Sequence, residues 1–281
     1  MKAAFFCFLA LFALLWGCAS EVSLEFQPDE NGVWAVPDRQ LDAWAAAILK
    51  ADDPHARALL DQGYSRADSL SAGDDQARSL EAFALAVADR FLNVKSPFYN
   101  DHAYELALDR EAQCLHWTSW GRRGMDWRRS ILNLNRPGTQ VCDFWLSRGA
   151  DARDTLLRKL LPGAPLTVLF LYGENCPSCE KLIGEIRASR DFSRRAGDGQ
   201  VQFVSLYTGE DPGEYAALSR QLPAYWDNWY DREHVVKYNR AFDTRLIPSL
   251  YLIDSEEIVR LRGVQHVDDM EKFLRRQEQS R

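Results

Sequence analysis

Apolar positions along the chain change their period twice, and each change marks a different kind of structure. Ala3 to Trp16 is an almost unbroken apolar run behind Met1-Lys2. From Cys18 to about residue 37 polar residues dominate without a sustained period, which predicts a tether over 18–37. Leu41, Trp44, Ala45 and Ile48 then recur at helical spacing, predicting a helix from Pro37-Asp38 to Lys50. The same spacing returns in Leu80, Phe83, Ala84, Val87 and Phe91 (helix 75–92), in Tyr104, Leu106 and Ala107 (helix 101–113), and in Trp127, Ile131 and Leu134 (helix 125–134). Strand signals are almost absent from this half. Residues 38–135 therefore read as a small all-α domain.

Arg136-Pro137-Gly138-Thr139 interrupts the helical pattern, because proline and glycine both break a continuing helix. Beyond it, short apolar runs alternate with helical stretches. Val141–Leu146, Leu166–Tyr172, Val201–Tyr207, Ser249–Asp254 and Glu257–Leu261 read as strands. Helices are expected over 152–161, 179–189, 211–222, 231–242 and 267–276. Such alternation implies an α/β layer around a central sheet over residues 136–281.

Composition narrows the functional class. The chain of 281 residues carries 34 basic and 41 acidic side chains, a net charge of −7, which argues against a nucleic-acid partner. One local exception is Trp117, Trp120, Arg122, Arg123, Trp127, Arg128 and Arg129, where aromatics interleave with arginines. In an exported protein that cluster reads first as a helix-pair surface or domain contact, and second as a contact for anionic lipid headgroups.

Export is expected from the first segment. A single basic residue ahead of an apolar run too short for the roughly 18 residues of a membrane span predicts a cleaved signal over 1–17. Leu15-Trp16-Gly17-Cys18 resembles the lipobox of bacterial lipoproteins, in which the cysteine sulfur receives a diacylglycerol and becomes the new N-terminus. That resemblance implies lipidation at Cys18, with two or more acyl chains giving stable anchoring. The expected location is the cell envelope, lipid-anchored and facing the periplasm, on either membrane.

Six cysteines are present. Cys7 leaves with the signal and Cys18 goes to lipid, so Cys114, Cys142, Cys176 and Cys179 remain. Cys114 and Cys142 read as buried, unpaired thiols; the alternative is a bridge across roughly 30 residues, worth about 3 to 4 kcal/mol in the loop-entropy picture. Cys176-Pro177-Ser178-Cys179 is the strongest chemical signal in the chain. It follows a strand-like run and opens a helical pattern. Zinc requires four ligands, and no second such pair exists; His116 near Cys114 has no further ligands beside it, so no metal is expected. At a helix N-terminus the unpaired N–H groups favour thiolate over thiol, making Cys176 the expected nucleophile.

The order of strand, Cys-x-x-Cys at a helix start, strand, helix and then Ile247-Pro248 before an apolar strand resembles the thioredoxin fold, especially TlpA- and ResA-type thiol-disulfide proteins. Val141-Cys142-Asp143-Phe144-Trp145-Leu146 resembles the opening strand of that group, and Arg245 to Asp254 its cis-proline strand. The N-terminal helices, with Ala88-Asp89-Arg90-Phe91-Leu92 and Ser96-Pro97-Phe98-Tyr99-Asn100, resemble a domain of unassigned function found ahead of thioredoxin modules in lipoproteins of anaerobic Gram-negative bacteria. The resemblance implies Cys176 as attacking and Cys179 as resolving cysteine, Pro248 as the cis-proline, and Ile247 as the residue whose backbone pairs with a substrate strand. Asn175, Pro177 and Ser178 complete the implied substrate surface.

Two departures qualify it. Phe170 stands where thioredoxin carries a buried acid, leaving Glu174 and Glu180 as nearer carboxylates, and Asn175 replaces the usual tryptophan. The expected activity is disulfide exchange with extracytoplasmic proteins, more as reductase than oxidant, recharged by a membrane electron donor and needing no cofactor beyond the Cys176–Cys179 disulfide. A peroxidase reading is weakened by Gly173, where related peroxidases carry Ser or Thr. The non-enzymatic alternative is a scaffold with a static disulfide, its aromatic segment Tyr225-Trp226-Asp227-Asn228-Trp229-Tyr230 binding a partner protein or glycan.

Overall fold

The structure is a computed structural model that describes residues 22–148, 154–238 and 241–279. The chain divides into two compact units between Arg129 and Ser130. The sequence places that boundary at residue 135; the residues in between belong to the second unit.

The first unit is helical apart from a minimal hairpin. Strands β1 (Gln27–Pro28) and β2 (Trp34–Ala35) pair antiparallel, and helices α1 (Asp38–Lys50), α2 (Asp53–Leu70), α3 (Arg78–Phe91), α4 (Asp101–Glu111) and α5 (Ser119–Leu132) follow, the end of α5 running past the division at Arg129. The hairpin corrects the expected tether over its described part, residues 22–37. Phe26 packs its ring 5.4 Å from that of Phe83, and the Trp34 N–H donates to Ser79 Oγ at 3.0 Å. A polar stretch has been folded by a turn in which Asp29 accepts from the backbone of Asn31 and Val33.

Helix α2 has no counterpart among the helices expected from periodicity. Its buried face consists of Ala56, Leu60, Gly63, Tyr64 and Ala67, mostly small residues that give a weak apolar signal. They are small because the helices lie close: a Cβ on Gly63 would fall 2.6 Å from the Phe83 ring. Asp52 caps this helix by accepting from the His55 N–H, with Pro54 in the first turn. Trp44, Tyr64, Phe83 and Phe91 fill the centre of the unit.

The second unit holds a five-stranded sheet ordered β7-β6-β5-β8-β9. Strands β5 (Leu166–Tyr172), β6 (Val201–Tyr207) and β7 (Trp226–Tyr230) run parallel, and β8 (Ser249–Asp254) and β9 (Val259–Val264) are antiparallel. Both faces are covered, so β5 and β6 read as continuous apolar runs rather than alternating ones. Val168, Phe170 and Tyr172 face α6 (Pro177–Ala188), α7 (Arg190–Gly197), α8 (Pro212–Ser219) and α10 (Val267–Gln279). Leu169 and Leu171 face Val141, Phe144, Leu146, Leu157 and Leu161 on the opposite side.

Two expected helices are shorter or absent. Thr155–Leu156 is a strand, β4, paired with β3 (Trp145–Leu146), and two single 3-10 turns lead from it through Pro162-Gly163 into β5. The helix expected from residue 231 starts late, as α9 (Val235–Tyr238), because His234 takes a left-handed φ of 53° just before it. Asp231 accepts from the N–H groups of Val235 and Val236 and so starts α9 late. Five residues of the segment 225–230 form β7 (Trp226–Tyr230), with Trp226, Trp229 and Tyr230 buried; their aromatic area serves the core, and the platform expected in the scaffold alternative is not formed by them.

Candidate active site

The parallel strands β5, β6 and β7 end on one edge of the sheet, and β8 begins there. Leu171 pairs with Ser249, which sets Pro248 beside the chain leaving β5. From Tyr172 the chain turns through Gly173, Glu174 and Asn175 into α6. A Cβ on Gly173 would touch Thr208 Oγ1 at 3.6 Å and Ile247 Cγ2 at 3.7 Å, so this turn runs directly past Ile247. Asn175 takes a left-handed φ of 49°, a conformation that asparagine tolerates better than most residues. Its N–H donates to Glu214 Oε1 at 2.9 Å, and Glu174 Oε2 accepts from the Glu210 N–H at 3.2 Å.

Cys176 and Cys179 are joined in a disulfide with their Cα atoms 5.2 Å apart. Cys176 is the N-cap of α6, and Pro177 occupies the first helical position, where a missing N–H costs nothing. Cys176 Sγ accepts from the Cys179 N–H at 3.2 Å and lies 3.4 Å from Ser178 Oγ. The two sulfurs differ in access: Cys179 is 1% exposed, whereas Cys176 is only half-buried. Asn175, Pro177 and Ser178 are exposed around Cys176, Ile247 is half-buried and Pro248 buried. The Ile247–Pro248 peptide bond is cis. The structure therefore brings Cys176, Cys179, Asn175, Pro177, Ser178, Ile247 and Pro248 to the same edge.

No carboxylate lies under the pair from β5. Phe170 is fully buried and stacks on Tyr172 with centroids 5.1 Å apart and planes 5° from parallel. Glu180 is exposed on the first turn of α6. Glu174 is occupied in holding the Glu210 loop. The neighbourhood is acidic: burial first, and then the charges of Glu214, Glu174 and Asp211, push the Tyr207 phenol well above its ordinary range. Its hydroxyl is buried without a hydrogen-bond partner. Glu210 in turn pairs with Lys237 and accepts from the Tyr238 hydroxyl at 2.7 Å. Sequence reading missed Glu210 and Glu214, since nothing local announces a contact between residues 36 and 39 positions apart.

The remaining candidates lie elsewhere. Cys114 and Cys142 are free thiols, one in each unit, and burial pushes both up to about 11. The Cys142 thiol donates to the Ala241 carbonyl at 3.0 Å. His116 Nδ1 is 3.0 Å from Asp68. No group of three or more metal-ligating side chains occurs among the described residues. No helix among the described residues is long and apolar enough to cross a membrane. Cys18 lies outside the described residues.

No known protein family and no curated protein matches the chain. A crystal structure of a thioredoxin-like protein from Bacteroides caccae superposes with a TM-score of 0.70 at 20% identity, covering 84% of this chain and 82% of that one. The sheet-bearing unit has a thioredoxin-like fold. Two further solved structures cover about half the chain. One is the C-terminal domain of an uncharacterized protein from Bacteroides fragilis (TM-score 0.46, 27% identity, 50% of this chain and 97% of that one). The other is the thioredoxin domain of a thiol-disulfide oxidoreductase from Bacteroides vulgatus (TM-score 0.41, 12% identity, 50% and 96%). Within the thioredoxin-like unit, Cys176 and Cys179 occupy the edge where three parallel strands end and a helix begins, the position at which ligands meet open α/β sheets.

Proposed function

We propose that the protein is a thiol-disulfide oxidoreductase of the cell envelope, acting on disulfide-bearing extracytoplasmic proteins and more as reductase than oxidant. The observation that carries this reading is the unequal exposure of the two sulfurs at the N-terminus of α6. In the reduced form the accessible Cys176 thiolate attacks one sulfur of a partner disulfide, forming a mixed disulfide and releasing the other partner sulfur as thiolate. Cys179, buried and three residues on, then attacks Cys176 Sγ. This closes Cys176–Cys179 and frees the second partner thiolate, so two electrons pass to the partner. The partner thiolates gain the two protons given up by Cys176 and Cys179.

The Cys179 N–H supports the first step by donating to Cys176 Sγ at 3.2 Å, a contact worth more to an anion than to a thiol. Ile247 offers main-chain groups for a short strand-like pairing with the partner, beside exposed Asn175, Pro177 and Ser178. Recharging requires a second dithiol, which we assign to a membrane electron donor. A lipid on Cys18 keeps the protein within reach of it. Insulin reduction tests the activity: the chain from Ala19 onward accelerates it, and Cys176→Ser abolishes the acceleration. Equal rates for the two proteins would end the enzymatic reading.

A further inference from the structure

Helix α5 presents two unlike faces. Gly121, Met125 and Arg128 turn inward and are buried or nearly so. Gly121 is required there, since a Cβ would fall 2.4 Å from the Trp117 ring. Trp120, Arg123 and Trp127 turn outward at i, i+3 and i+7, one stripe along the helix. Trp120 is 69% exposed and Trp127 49%, and Leu115, on the segment entering the helix, is 78% exposed. The Arg123 guanidinium lies over the Trp120 ring, 5.2 Å from its centroid. Large apolar side chains grouped this way on a surface mark a binding face.

We propose that this face docks on a layer of anionic phospholipid headgroups. Indole rings favour the boundary between hydrocarbon and water, and arginines beside them meet phosphate. Arg122, Arg123 and Arg129 surround the stripe, Arg129 also pairing with Asp109 at 3.3 Å, and Asp126 is the only acidic residue of α5. The chain as a whole carries −7, so an anionic surface repels most of it and attracts this helix.

The start of the fold supplies a second reason. The Glu25 N–H is already held by Gln40 Oε1 at 2.9 Å, seven positions after Cys18. If Cys18 is acylated, as proposed above, extended chain allows at most about 25 Å between the lipid and the folded unit. An anchor that short keeps the helical unit against the bilayer and leaves its orientation open; α5 would fix it. The charge argument stands without the anchor.

The test uses the chain from Ala19 onward, which retains every described element and has no acylation site. It is sedimented with vesicles of phosphatidylcholine alone, and with vesicles in which about one-third of the lipid is phosphatidylglycerol. Binding to the anionic vesicles at low salt is expected, with little binding to the neutral ones and loss at high salt. Trp120→Ala combined with Arg123→Glu is expected to weaken binding about tenfold. Circular dichroism and insulin reduction by the variant confirm that both units remain folded. Absence of vesicle binding, equal binding to neutral vesicles, or an unaffected double variant would each overturn the proposal. So would concentration-dependent dimerisation that the double variant abolishes, which would assign the face to a second copy. Acylation is read separately, from the mass of the envelope-extracted protein, so failure of the anchor and failure of the docking face are distinguishable.

Discussion

In the helical unit Cys114 sits among Arg110, whose guanidinium is 3.5 Å from its sulfur, and the Tyr64 carbonyl, and burial raises its thiol to about 11. In the sheet-bearing unit Cys176 caps a helix, receives an N–H, and stays half in solvent. The same side chain is buried beside a cation in one unit and half-exposed at the start of a helix in the other. What separates their settings is the cost of burying a negative sulfur: the cation beside Cys114 does not outweigh its desolvation, while Cys176 lies beside helix N–H groups without being buried.

The carboxylates discussed in the two units also differ in setting. In the first, Glu111 is fully buried and pairs with Arg128, and it accepts from the Tyr64 hydroxyl at 3.3 Å. Desolvation raises the Glu111 carboxyl, and the Arg128 charge opposes that rise. With Tyr64, this pair joins α4, α5 and α2. In the second unit the carboxylates near Cys176 are only partly buried: Glu214, in the first turn of α8, holds the Asn175 backbone, and Glu174, in the turn after β5, holds the Glu210 backbone.

The contrast is broken most severely at the cysteines. Cys176→Ser is expected to lower insulin reduction by at least about a thousandfold, while Cys114→Ser leaves it within about twofold. Cys179→Ser should instead trap a mixed disulfide, detectable by mass. Loss of activity in Cys114→Ser with the fold intact would erase the distinction. The next largest effect concerns stability: Glu111→Ala leaves Arg128 buried and unpaired, and should cost the helical unit about 3–5 kcal/mol by denaturant unfolding. Insulin reduction by the folded variant should not change.

A smaller effect is read in alkali. The Cys114 thiol is held above its unfolded value, so the folded state keeps a proton that the unfolded state has lost. Stability tied to it is complete below the unfolded value near pH 9 and is lost as pH rises to about 11. Cys142, also at about 11, behaves in the same sense in the other unit. Cys114→Ala should therefore flatten the alkaline fall in unfolding free energy; an unchanged slope contradicts the assignment. The smallest effect sharpens the site itself. Glu214→Ala removes a negative charge and the acceptor for the Asn175 N–H, and should raise the alkylation rate of reduced Cys176 at neutral pH by about two- to threefold; an unchanged rate would remove Glu214 from the site. Glu214→Gln, which keeps an acceptor oxygen, separates the charge from the hydrogen bond.

The placement of Cys176, Cys179 and Pro248 is legible in the sequence because it is spelled in local words: a strand, Cys-Pro-Ser-Cys, and Ile-Pro before another strand. Glu214 is not, because its role is a contact made only when the first turn of α8 meets the turn after β5. Helix α2 escaped because Ala and Gly bury little apolar area and show little periodicity. The hairpin at residues 27–35 escaped because two-residue strands carry no period at all; it is fixed by an Asp29 turn and by Phe26 on Phe83. The helices expected over 152–161 and 231–242 were drawn from apolar spacing that serves instead to cover the sheet.

The most direct test of the account is the pH dependence of alkylation in the reduced protein, with each modified cysteine located by mass spectrometry. Cys176 should react with a midpoint below the ordinary thiol value of about 8.5, far ahead of Cys179, Cys114 and Cys142. A Cys176 that stays protonated into alkaline solution, or a Cys179 that reacts equally fast, would contradict the mechanism.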